Sequence, residues 1–109
     1  MSPVWLCPLR LRSDQAWPLY PLAPGEGYVN FGFWGTVALP PGRTDGYHNR
    51  LVEETVSDLG GHKGLYSTSY YTEQQFWASY NGPAYSALKQ RYDGGGRLAG
   101  LYEKCVRGQ

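Results

Sequence analysis

The chain is short of most of what simple chemistry needs. It has two histidines, His48 and His62, with no spaced partner, and two cysteines, Cys7 and Cys105, near opposite ends and without a Cys-x-x-Cys pair. Neither a zinc site nor a redox dithiol is implied, and the cysteines read as two reduced, partly buried thiols, although two distant cysteines can pair. No Gly-x-Gly-x-x-Gly or Gly-x-x-x-x-Gly-Lys-Ser/Thr loop is present. Gly94-Gly95-Gly96 lacks both the following helix and the lysine of a phosphate cradle, so it reads as a turn. No serine sits on a nucleophile elbow, and no metal-binding group is expected. Each histidine is expected at the surface, and Glu53, Glu54, Glu73 and Glu103 on solvated faces.

Charge and hydropathy exclude further classes. The net charge is +1 and the ten Lys and Arg are scattered, so nucleic acid is not an expected partner. No apolar run approaches the roughly 20 residues that span a bilayer, and no secretory leader is expected. What is present in excess is aromatic: 16% of 109 residues, with ten tyrosines and four tryptophans. Rings with a polar tip suit surfaces that are apolar on one side and wet on the other, which are ligand walls, domain interfaces and partner contacts.

One small α+β domain fits the length: a partial ferredoxin-like antiparallel sheet with helices on one face, spanning 1–109. Residues 4–11 read as a strand with Pro8 at an edge or bulge. Residues 13–27 read as a proline-rich loop, extended and partly polyproline-like around Trp17-Pro18-Leu19-Tyr20-Pro21-Leu22. Residues 28–37 alternate as a strand, with Val29, Phe31 and Phe33 on one face and Tyr28, Asn30, Gly32 and Trp34 on the other. Gly32 marks a twist, a bulge or a close approach of a ligand or backbone.

A helix follows from a Thr44 or Asp45 cap to about Leu59, burying Tyr47, Leu51, Val52, Thr55, Val56 and Leu59 and turning Glu53, Glu54 and Asp58 to water. Gly60-Gly61 ends it. Residues 65–71 read as a third strand. Thr72-Glu73-Gln74-Gln75 is a capping box that opens a helix to about Tyr80, and Asn81-Gly82-Pro83 breaks and restarts it to about Tyr92. The tail from Leu98 is a short helix or strand. The sheet face carrying Tyr28, Trp34, Tyr66 and Tyr70 is left uncovered. Met1-Ser2 opens directly on an apolar strand, so Met1 is expected to be an added or misassigned start.

Several strings together are less generic: Pro3-Val4-Trp5-Leu6-Cys7-Pro8, Leu65-Tyr66, then Thr72, Phe76-Trp77, Tyr80-Asn81-Gly82 and Tyr85, and finally Leu101-Tyr102-Glu103-Lys104-Cys105. In this order they resemble the C-terminal end of the delta-24 sterol reductase family, FAD-dependent oxidoreductases of the vanillyl-alcohol-oxidase type. The resemblance implies an N-terminal FAD-binding domain absent from these 109 residues and a role here as a C-terminal, substrate-side or cap-type domain. It also implies reduction of a carbon-carbon double bond of a sterol-like or other apolar substrate, with NADPH as electron donor, by a chain inactive alone.

Under that reading Tyr28, Asn30, Trp34, Tyr66 and Tyr70 line an apolar substrate wall, Tyr66 or Tyr70 is the candidate proton donor, and Lys104 is a possible cofactor contact. The partners are then the flavin domain of the same parent chain, an apolar small molecule, and a second copy through the aromatic face. The setting is cytoplasmic, or membrane-associated through the parent. Two departures stand out. Gly94-Gly95-Gly96 is a looser connection than the family uses, and Ser69 stands where sugar-oxidising relatives carry lysine, which speaks against polyol oxidation. The competing readings are a stand-alone module that binds a hydrophobic ligand or protein, and a fold with no ligand.

Overall fold

Alternation over 28–33 and a matching run over 4–9 produce a hairpin. The computed structural model describes residues 3–12, 17–20 and 22–108, so the start at Met1 and parts of the proline-rich loop, residues 13–16 and 21, lie outside the described residues. The chain divides into two compact units, Met1–Trp17 with Leu22–Asp45, and Pro18–Pro21 with Gly46–Gln109. Strand and helix content make it α+β, as expected.

In the first unit β1 (Val4–Leu9) pairs antiparallel with β2 (Tyr28–Phe33), with Val4 opposite Phe33, Leu6 opposite Phe31 and Pro8 opposite Val29. The Trp34 amide donates to the Pro3 carbonyl just beyond the last pair. Opposed residues in an antiparallel ladder alternate between bonded and unbonded pairs. Trp5/Gly32, Cys7/Asn30 and Leu9/Tyr28 are therefore the bonded ones. Pro8 falls at an unbonded position, where its missing N–H costs no ladder bond and is lost instead from the outer edge of β1. Gly32 has a cross-strand cause: an added Cβ would lie 3.2 Å from the Trp5 ring, which packs over the strand in that gap. β2 stops at Phe33, short of Val37, because Gly35 takes φ 146° and redirects the chain.

The split of side chains between faces is as read, but neither face is buried throughout. Val4, Leu6, Val29, Phe31 and Phe33 share the apolar face and are 48–58% exposed, while Tyr28, Asn30 and Gly32 on the other face are half-buried or buried. With two strands among the described residues, Tyr66 and Tyr70 are not on the sheet.

The second unit is helical: α1 (Tyr47–Asp58), α2 (Glu73–Ser79), α3 (Gly82–Asp93) and a closing π-helical turn, Glu103–Arg107. The expected third strand at 65–71 is irregular. Its backbone is satisfied elsewhere, the Ser69 amide donating to the Cys105 carbonyl and the Tyr70 amide to the Glu53 carboxylate, so no ladder partner is called for. Pro18-Leu19 forms a turn rather than a polyproline segment.

Local rules hold closely for α2 and α3. Thr72 Oγ1 accepts from the Gln75 amide while the Gln75 side chain accepts from the Thr72 amide, and Asn81, at φ 54°, caps α3 through the Ala84 amide with Pro83 in the first turn. α1 departs from expectation. Its cap is Gly46 rather than Thr44 or Asp45, its one buried residue is Glu53, and Leu51, Val52 and Leu59 are exposed.

The core of this unit is Tyr71, Phe76, Tyr80 and Tyr102, with Leu65, Trp77, Leu101, Cys105 and Val106 packed on it. Phe76 is its centre, with ring centroids 4.9 Å from Trp77, 4.8 Å from Tyr80 and 5.3 Å from Tyr102. Burial pushes the Cys105 thiol pKa up, against a reactive role, and both cysteines are free. At the end of α3, Lys89 pairs with Asp93, whose carboxylate also accepts from the Leu98 and Arg97 amides. These bonds, Lys89 first, hold its pKa down at about 2. No described helix is long and apolar enough to cross a membrane.

Candidate functional site

The segment after α1 carries the most concentrated polar chemistry. It is bolted from three sides. Glu53, 5% exposed, takes Lys63 Nζ on Oε1 at 2.7 Å and the Tyr70 amide on Oε2 at 2.9 Å. Lys63 Nζ also donates to the Thr68 carbonyl, closing the loop from inside, and the Tyr80 hydroxyl of the core donates to the Lys63 carbonyl. A buried carboxylate is tolerated only with such partners.

On this support Tyr66 and Tyr70 have opposite surroundings. The Tyr66 ring lies over Gly64 and the residue is 67% exposed. Tyr70 is half-buried: its ring fills the space beside Gly46 at the start of α1, with the Arg50 guanidinium 4.7 Å and Lys63 Nζ 5.9 Å from its centroid. A Cβ at position 46 would overlap that ring, and φ there is 80°, so glycine is required twice over. Of the other expected wall residues, Tyr28 is half-buried with its hydroxyl accepting from the Ala23 amide at 2.9 Å, Asn30 is half-buried, and Trp34 is exposed. Those three belong to the hairpin unit, and Tyr66 and Tyr70 to the helical one. Lys104 is exposed.

Beneath the segment lies a group of side chains that share no motif. The Tyr71 hydroxyl is buried and makes no well-formed hydrogen bond, although Ser57, the Lys63 carbonyl and Tyr80 lie close by. Burial pushes the pKa of Tyr71 and of Tyr80 up, keeping both neutral. Ser69 is fully buried with its Oγ unpartnered. His62 sits edge-on between Tyr20, 5.5 Å away, and Tyr80, 6.3 Å away. Glu53 and Lys63 belong to this group too. They carry no sequence signal, being ten residues apart on a helix and in a turn.

Burial lowers the His62 pKa, so between the folded value and the ordinary 6.5 the unfolded chain binds the proton more tightly. Its contribution is complete above 6.5 and is lost as pH falls through the folded value. Thermal melts from pH 7.5 down to 5 will therefore show falling stability with a component that His62→Gln removes; identical pH slopes in the two proteins would contradict the burial effect.

Chemically, the exposed Tyr66 can donate a hydrogen bond or a proton to a molecule laid against the loop, whereas Tyr70 is held by packing. No group of three or more His, Cys, Asp or Glu able to hold a metal occurs among the described residues. An open groove of about 350 Å³ runs along Tyr85, Ser86, Lys89, Gln90, Asp93, Gly94 and Gly96. It includes none of the expected wall residues, and its Lys89 and Asp93 neutralise one another.

No family model matches the chain, and no solved structure matches it. Curated relatives do. Delta(24)-sterol reductase of Homo sapiens is 26% identical over 106 residues, 96% of this chain and 20% of that protein, and the Mus musculus and Rattus norvegicus proteins are 27% identical over the same extent. The chain spans about one fifth of the length of these relatives. The matches tie it distantly to Delta(24)-sterol reductase along nearly all of its own length.

Proposed function

We propose that this chain is the substrate-side, C-terminal part of an FAD-dependent oxidoreductase related to Delta(24)-sterol reductase. In this reading it works with a flavin domain on the same parent polypeptide to reduce a carbon-carbon double bond of a sterol-like or other apolar substrate, with NADPH as electron donor, and is inactive alone. The observation that carries the reading is the match over 96% of the chain. The α1 start at Gly46 is filled by Tyr70, which leaves the exposed Lys104 as the candidate cofactor contact in this reading. In this reading the flavin domain carries the hydride transfer, and this chain contributes an aromatic wall and a proton. Tyr66 is the better proton donor of the two candidates, because it is exposed while the Tyr70 ring is packed.

The test replaces the matched segment of a Delta(24)-sterol reductase with this chain and follows sterol reduction. Tyr66→Phe should lower kcat by roughly 100-fold with KM little changed, and Tyr70→Phe much less. Full turnover by the Tyr66→Phe chimera would remove Tyr66 from the chemistry. The exposed apolar face of the hairpin favours a second reading, a stand-alone module for a hydrophobic ligand or protein. The transcript separates the two: an open frame running upstream of Met1 into a flavin domain supports the first, and an in-frame stop the second.

A further inference from the structure

The free edge of β2 carries an inference independent of the oxidoreductase reading. Since Trp34 and Gly32 bond toward β1, the backbone N–H and C=O groups of Val29, Phe31 and Phe33 point away from it, and no described strand pairs with them. Edge strands are ordinarily blunted by proline, charge or a bulge. β1 has Pro8 on its outer edge, whereas Tyr28–Phe33 has none of the three. The same three residues supply three of the five side chains of the exposed apolar face.

We infer that β2 pairs antiparallel with β2 of a second copy of this chain, about a two-fold axis at Phe31. The edge is its own complement: Val29 falls opposite Phe33 of the second copy and Phe31 opposite Phe31, three apolar pairs with no charge to repel. Pairing raises the sheet from two strands to four, and a lone two-stranded hairpin is at best marginally stable in water. One strand pair buries less than the roughly 800 Å² per partner of a standard interface, so the dimer is weak and depends on concentration.

Sedimentation equilibrium from roughly micromolar to millimolar protein should show monomer passing to dimer and no further. Amide exchange at Val29, Phe31 and Phe33 should slow by roughly tenfold or more over the same range. Phe31→Lys and Phe31→Glu should each be monomeric, since like charges then meet across the axis, and should associate when mixed. Folding of each variant is checked by circular dichroism, and the exchange measurement on the unaltered chain needs no variant. A monomer at every concentration, a dimer whose three edge amides exchange freely, or self-association that survives both charged substitutions would each overturn the pairing. Protection of those amides only on adding a different polypeptide would overturn the choice of a second copy.

Discussion

Phe76→Ala should destabilise the helical unit by about 3–5 kcal/mol, the usual loss when a fully buried phenylalanine is truncated and its neighbours close only part of the gap. Phe76 is completely buried and meets Trp77, Tyr80 and Tyr102 through ring contacts of 4.8–5.3 Å, so an alanine leaves three rings facing a hole. Two of them, Tyr80 and Tyr102, make up half of the four-residue core. Folded units of this size hold only roughly 3–10 kcal/mol in total, so the variant is expected to sit near its unfolding midpoint at room temperature. Urea titration followed by circular dichroism reads this directly, and Phe76→Leu, which keeps most of the volume, should cost only about 1.5 kcal/mol or less. A loss below about 1 kcal/mol for the alanine variant would show that the ring cluster does not centre the fold.

Glu53→Ala should cost about 2–4 kcal/mol, below the top of the range for breaking a buried pair because Lys63 is partly open to solvent. The carboxylate serves two donors at once, Lys63 Nζ and the Tyr70 amide, and removing it leaves an ammonium without its counter-charge and an amide without its acceptor. Glu53→Gln keeps an oxygen for the amide and should lose less. Glu53→Leu combined with Lys63→Met should recover much of the stability, since desolvation of both charges is then removed together. A double-mutant cycle measures the coupling, and strictly additive losses would mean that the pair is incidental. Segment 64–70 also depends on this anchor. In Glu53→Ala it should become the first site of limited proteolysis, with Tyr66 moving along with it.

How far the sequence could be read depended on how local the physics was. The Thr72–Gln75 capping box and the Asn81-Gly82-Pro83 break are satisfied within four residues, and both appear where the spacing predicts. Strand alternation placed Val29, Phe31 and Phe33 together for the same reason. Periodicity failed where a distant partner decided the outcome. α1 buries Glu53 because Lys63 and the Tyr70 amide await it, and leaves Leu59 82% exposed, the reverse of its hydrophobic stripe. Residues 65–71 carry three tyrosines and a threonine and look like a strand, yet Glu53 and Cys105 take their amides from two different elements.

The candidate site divides in the same way. Tyr66 and Tyr70 could be named from the residues, but which one is presented and which is clamped depended on Gly46 and Arg50, far off in the chain. The relation to Delta(24)-sterol reductase was legible in short strings such as Trp5-Leu6-Cys7-Pro8, and whole-chain comparison matches the same proteins.

Pro8 has a further consequence for how large any assembly can become. In the language of polymer chemistry, a strand pair with two open edges is bifunctional and can extend indefinitely, whereas one open edge makes it monofunctional. By removing an outward N–H near the C-terminal end of β1, Pro8 leaves one reactive end, and two such molecules terminate each other. Restoring that N–H with Pro8→Thr would supply the second functional group, and the chain would acquire the valence needed to form fibrils.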